Sequence, residues 1–179
     1  IYTGEDTLSL HDALPISVLQ LFFAAIQRAF TQATTTVRAL VPLFARATTV
    51  GTSAAVEFAV TSLGVAHIVV LGHSNCGGVK GCLDMCCGNA PELLEKTSFV
   101  GRWMDILRPG YQRISGLPVA EQQPALEREA VLVSLENLMT FPFVKAAVED
   151  DRLTLHGLWT DTGEGGLEQF DPARGFVPV

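Results

Sequence analysis

The run His67-Ile68-Val69-Val70-Leu71, passing directly into Gly72-His73-Ser74-Asn75-Cys76-Gly77-Gly78, constrains this chain more than any other feature. A short, continuous, β-branched run is the pattern of a strand buried on both faces, as in a parallel sheet. The glycine-containing stretch after it reads as a loop into a second helix. The surrounding segments fit such a strand. Thr52 and Ser53 can cap a helix with apolar positions Ala55, Val56, Phe58, Ala59, Val60 and Leu63, and Gly64 stands where a left-handed stop is expected. Pro91 opens a helical stretch around Leu93, Leu94, Phe99, Trp103 and Ile106, which Pro109 and Gly110 punctuate. Pro118 precedes the longest amphipathic helix, from about Glu121 to Met139, and Pro142 starts a short helix through Val148. Leu153 to Trp159 alternates like a strand, and Gly163 to Gly166 turns into Leu167 to Phe170, a carboxy-terminal strand pair. The expected fold is therefore α/β, a mostly parallel sheet flanked by helices and closed by that pair.

Composition narrows the class. In 179 residues, 48% hydrophobic and 17% charged residues suit one domain with a real core. A net charge of -7 with only 12 Lys and Arg argues against a nucleic-acid binder, which needs a basic face. No apolar run approaches the roughly 20 residues of a membrane-spanning helix. The stretch Val18 to Ile26 carries Gln20, is followed by Gln27 and Arg28, and has no basic region upstream. Membrane insertion and secretion are not expected. All four cysteines, Cys76, Cys82, Cys86 and Cys87, lie within a dozen residues, a poor layout for disulfides and a better fit to a reducing, cytoplasmic setting.

The first fifty residues behave differently. Residues Thr31 to Thr36 and Ala45 to Thr49 lack a helical or alternating period, and a helix near Val18 to Phe30 is the one element expected there. The stretch Thr7-Leu8-Ser9-Leu10-His11-Asp12-Ala13-Leu14-Pro15-Ile16 resembles one reading frame of a short-read sequencing adapter. Residues 1–16 are accordingly set aside as a scar, 17–50 form a poorly patterned region, and 51–179 form the single patterned domain.

The chemistry sits in the loop after the buried strand. Functional loops lie beyond the carboxyl ends of parallel strands. His73 offers an imidazole nitrogen, and a cysteine entering a helix sits at the positive end of the helix dipole, which favours thiolate. Imidazole and thiolate are common zinc ligands, and Gly77 and Gly78 would let the chain turn closely around an ion. The spacing alone leaves a packed histidine and a buried thiol open. A phosphate-binding loop needs Lys and then Ser or Thr after its last glycine, whereas Gly77 is followed by Gly78 and Val79. A Gly-x-Ser-x-Gly elbow would need glycine where Cys76 stands, so Ser74 is not supported as a nucleophile. A cysteine hydrolase using Cys76, with His73 or His156 as base, stays open.

The runs GTSAAVEFAVTSLGVAHIVVLGHSNCGGVKGCLDM (Gly51 to Met85), FVGRWMDI (Phe99 to Ile106), EREAVLVSLENLMTFPFV (Glu127 to Val144) and LTLHGLWTD (Leu153 to Asp161) resemble, in order, the β-class carbonic anhydrases. The similarity covers about the last 130 residues and includes the family's His-x-x-Cys-Gly-Gly loop. It implies reversible hydration of carbon dioxide to bicarbonate by zinc-bound hydroxide, on a parallel sheet assembled from dimers with active-site pockets near the subunit interface. His73 and Cys76 match the second and third protein ligands of the family's zinc. The family's first ligand is the cysteine of a Cys-x-Asp-Ser-Arg motif on an earlier strand, whose Asp and Arg control the metal's open position. No cysteine precedes Cys76, and Asp-Ser-Arg occurs nowhere in the chain.

Cys82 is a poor substitute. On a helix starting at Cys76 it lies about 9 Å along the axis at roughly 1.5 Å per residue, and two thiolates on one zinc stand at most about 4.6 Å apart. Cys82, Cys86 and Cys87 are expected to pack, as are His67 and His156, and His11 is given no role. The expectation is a zinc-dependent carbonate dehydratase, impaired as written because one ligand and the Asp/Arg pair are missing. A non-catalytic, oligomer-forming remnant is the alternative.

Overall fold

The apolar run after Ala66 forms strand β2 (His67–His73), with a parallel neighbour on each side. The computed structural model describes Ala39–Leu40 and residues 50–179. The expected helix near Val18 to Phe30, His11 and residues 1–16 lie outside the described residues.

The described elements run β1 (Ala39–Leu40), α1 (Val50–Glu57), β2, α2 (Gly77–Cys86), α3 (Phe99–Met104), α4 (Arg108–Ile114), α5 (Val119–Leu138), α6 (Pro142–Glu149), β3 (Thr154–Thr160), β4 (Leu167–Asp171) and β5 (Gly175–Pro178). The sheet order is β1-β2-β3-β4-β5. β1 and β3 pair parallel to β2, and β4 and β5 continue antiparallel. The expected strand pair is β3 with β4. β5 was not anticipated: the carboxyl of Asp171 accepts the backbone N–H groups of Ala173 and Arg174, and Gly175 at φ 76° completes the turn into it.

Two further expectations are corrected. The helix foreseen through Leu63 changes at Phe58 into a π-type turn, in which the Leu63 N–H reaches back to the Phe58 carbonyl at 3.1 Å. Pro109 does not punctuate. It occupies the first turn of α4, where a missing N–H costs nothing and its fixed φ suits the helix.

β2 alternates instead of being buried on both faces. Ile68 and Val70 are fully buried, while His67, Val69, Leu71 and His73 are half-buried. The packed face meets α5. Ile68, Val70, Val131, Leu138 and Val144 share one core with α1 and α6, and Val79, Cys82, Leu107, Leu126 and Ala130 form a second between α2, α4 and α5. Helix α5 borders both cores, and glycines let it lie against the sheet. A Cβ on Gly72 would stand 2.6 Å from Val131 Cγ2, and one on Gly157 would stand 2.9 Å from Val131 Cγ1. Among the described residues, no single helix is long and apolar enough to cross a membrane.

Candidate metal centre

His73 is the last residue of β2, and Cys76 is the residue immediately before α2. The loop between them is fixed at both ends. The Ser74 N–H bonds the Thr160 carbonyl at 2.9 Å, carrying the β2–β3 ladder one residue past the strand, and the Lys80 N–H bonds the Cys76 carbonyl at 2.9 Å, the first bond of the helix. The chain reverses at Asn75, whose φ of 56° lies in the left-handed region that asparagine tolerates better than most residues. This corrects the role expected of Gly77: it is the first residue of α2, without a left-handed φ, and a Cβ there would meet nothing within 4 Å.

The His73 side chain is oriented by its own loop. Nδ1 lies 2.9 Å from the Ser74 carbonyl oxygen. A carbonyl can only accept, so Nδ1 carries a proton, and in the neutral ring Nε2 is the nitrogen with the lone pair, the arrangement of histidines that bind metal through Nε2. Cys76 is half-buried, and its side chain makes no capping hydrogen bond to α2.

Neighbouring polar groups brace the loop. Ser74 Oγ lies 3.3 Å from Asp161 Oδ1 and 3.0 Å from Thr162 Oγ1, and accepts the Thr162 N–H at 2.9 Å. The N–H groups of Glu164 and Gly163 hold the Asp161 carboxyl below the usual carboxylate range, with a smaller contribution from Ser74. An open cleft of about 490 Å³ adjoins the loop, lined by Ser74, Gln123, Glu127, Arg128, Trp159 and Asp161 among others. Glu127 on α5 is 4% exposed, and its Oε1 accepts the Cys76 N–H at 3.3 Å and the Gln123 Nε2 at 3.2 Å. Arg128 lies over the Trp159 ring at 3.8 Å and makes a two-pronged pair with Glu168 at 2.8 and 2.9 Å. Glu127 and Asp161 were not singled out in the sequence, where they stand 51 and 85 residues beyond Cys76.

The other thiols and imidazoles have different surroundings. Cys82 is fully buried in the core between α2, α4 and α5, and its thiol is pushed up to about 12 by burial and by Cys86. Burial also raises Cys86. Cys87 is exposed, with Sγ 3.8 Å from the Tyr111 hydroxyl. His156 Nε2 stands 3.1 Å from His67 Nδ1 across β2 and β3.

Zinc in a catalytic site takes three protein ligands. His73 and Cys76 supply the donor types it takes, on one braced loop. Among the described residues, no group of three or more His, Cys, Asp or Glu side chains is placed to hold a metal ion. Of the donor types that zinc takes, this loop offers one imidazole and one thiol.

A mixed α/β sheet with an imidazole–thiol loop at the carboxyl end of a parallel strand defines a class, α/β proteins with a candidate metal site. Comparison with known proteins narrows it. Residues 31–167 match the carbonic anhydrase family model. Over 136 residues the chain is 35% identical to beta carbonic anhydrase 3 of Arabidopsis thaliana, covering 74% of this chain and 52% of that protein. The structure of the beta-carbonic anhydrase CcaA superposes with a TM-score of 0.63 at 30% identity, over 72% of this chain and 58% of that one. One of two tetrameric beta-carbonic anhydrases from the ascomycete Sordaria macrospora gives a TM-score of 0.55 at 25% identity, over 73% and 62%. The chain belongs to the β-class carbonic anhydrases, and spans about half the length of the Arabidopsis relative.

Proposed function

We propose that this chain acts on carbon dioxide and bicarbonate with zinc as cofactor, and that His73 and Cys76 are two of the zinc's protein ligands. The hydrogen bond from His73 Nδ1 to the Ser74 carbonyl carries the reading, because it leaves Nε2 as the donor on the loop where the family resemblance calls for one. When bound, zinc supplies hydroxide near neutral pH as the nucleophile for carbon dioxide. The chain's own residues hold and orient: Ser74 and Asn75 set the spacing of the two donors, and α2 begins behind the thiol.

Two donors make a weak site. No cysteine precedes Cys76, and the described residues provide no third ligand. The proposal is therefore loose zinc binding and reduced hydration activity in this chain, and the same observation favours the second reading, a non-catalytic oligomer-forming remnant. Self-association is part of both, since α3 and the turn before it expose Leu94, Phe99, Val100 and Trp103.

Zinc content after dialysis against a mild chelator, measured beside the rate of carbon dioxide hydration, tests the proposal in the parent, Cys76→Ser and Cys86→Ser. The parent should retain less than one zinc per chain. Cys76→Ser should lose metal and hydration together, because a hydroxyl is a far poorer zinc donor than a thiolate, and Cys86→Ser should match the parent. Stoichiometric, tightly held zinc in the parent would overturn the weak site. Undiminished zinc and hydration in Cys76→Ser would overturn the ligand assignment, and a parent that holds zinc without hydrating carbon dioxide would favour the remnant.

A further inference from the structure

Glu127 is a carboxyl group in an expensive place. It is 4% exposed, on the face of α5 turned toward the end of β2. Burying such a group is costly unless hydrogen bonds compensate. Here Oε1 receives two donors, Gln123 Nε2 from one turn earlier on α5 and the backbone N–H of Cys76 from 51 residues earlier in the chain.

The second contact coincides with a feature of α2. A Ser, Thr, Asp or Asn in the position of Cys76 would turn its side chain back to cap the helix, and in a capping box a Glu three residues later bonds the capping residue's N–H. Cys76 makes no side-chain cap bond, and the position three residues later is Val79. Glu127 supplies from another helix the acceptor that α2 lacks, and the thiol is not consumed as a cap. The close approach of α5 at Gly72 puts Glu127 in range: a Cβ there would crowd Val131 Cγ2 and stand 3.4 Å from the Glu127 carbonyl oxygen.

We infer that Glu127 is a positioning residue for Cys76: its carboxyl group holds the Cys76 peptide and so fixes where the thiol points. The inference rests on the reading of Cys76 as a zinc ligand, and its role is that of an acceptor of fixed reach, not of a charge. Glu127→Met removes the acceptor at similar volume, Glu127→Asp shortens its reach by one methylene, and Glu127→Gln keeps an oxygen in place. Glu129→Ala, on the same helix but paired with Arg113, is the control.

Two measurements are made on the full chain: backbone amide exchange at Cys76, and titration with Co2+ read by the sulfur-to-cobalt charge-transfer absorption. Glu127→Met and Glu127→Asp should speed Cys76 exchange and weaken Co2+ binding about 10–100-fold, the usual cost of losing a group that orients a ligand. Glu127→Gln and Glu129→Ala should match the parent in both. Parent-like Cys76 exchange and Co2+ affinity in Glu127→Met overturn the inference, as does a Glu127→Gln variant as weak as Glu127→Met, which would make the charge decisive. Should Glu127→Met not fold, the contrast between Glu127→Asp and Glu127→Gln separates the same outcomes. A cobalt band that survives in Cys76→Ser sinks the ligand reading itself, whereas a band lost there but unchanged in Glu127→Met and Glu127→Asp sinks only the role of Glu127.

Discussion

Adding one methyl group at Gly72 should destabilise the protein and loosen its candidate site together. The Cβ of Gly72→Ala would stand 2.6 Å from Val131 Cγ2, 3.3 Å from Trp159 Cδ1 and 3.4 Å from the Glu127 carbonyl oxygen. Relieving the first contact to 3.4 Å requires a shift of 0.8 Å (3.4 − 2.6). Val131 is fully buried and β-branched, with essentially one rotamer on a helix, and its other methyl is seated over Gly157. The strain therefore passes to α5. Overpacking of this kind costs about 1–3 kcal/mol, while replacing glycine returns about 0.4–1 kcal/mol through the unfolded chain. Taking the middle of both ranges, the net expectation is a loss of about 1.3 kcal/mol, with about 2.6 kcal/mol as the upper end. Urea unfolding at equilibrium measures it, with Gly77→Ala as the counterpart, since a Cβ there meets nothing and should leave stability unchanged or raise it. Val131→Ala should partly rescue Gly72→Ala, so that the double variant loses less than the sum of the singles. A Gly72→Ala protein as stable as the parent, or strict additivity with Val131→Ala, would refute the close packing of α5 on β2.

Arg128→Ala removes both the pair with Glu168 and the cover over Trp159; at side-chain exposures of 30% and 25% for the pair, urea unfolding should show a loss of about 1–2 kcal/mol, with Arg128→Lys intermediate because the fork is lost. His156 is held below its ordinary 6.5 by burial first and by His67 second, so below that pH the unfolded chain binds more protons than the folded one. Stability should fall as pH drops from 6.5 toward the folded-state value; urea midpoints between pH 7.5 and 5.5 should show this, and a decline unchanged in His156→Gln would refute the assignment.

Much of the site was legible because its signal is local. The run from His67 to Leu71 and the residues Gly72 to Cys76 lie together in the chain, and the strand, loop and helix form where a reading of neighbouring residues puts them. Pro109 misled because proline is compatible with both a break and a first helical turn, and here it takes the second. β5 was missed because Gly175–Pro178 is only four residues long and depends on pairing with β4. Glu127 was illegible for a further reason. Nothing near it marks it as anything but one acidic residue on an amphipathic helix, and its contact with Cys76 exists only because α5 lies close against Gly72 and Gly157.

The Ser74 N–H bond to the Thr160 carbonyl bears on how fast anything can come and go at this loop. That bond extends the β2–β3 ladder by one residue and ties Ser74 to the end of β3, just before the chain turns at Asn75. Moving this end of the loop as a flap would mean breaking the last rung of the parallel pair, a local opening. If His73 and Cys76 hold zinc as proposed, a flap movement of the loop would have to break this end of the β2–β3 pair before it could release the metal.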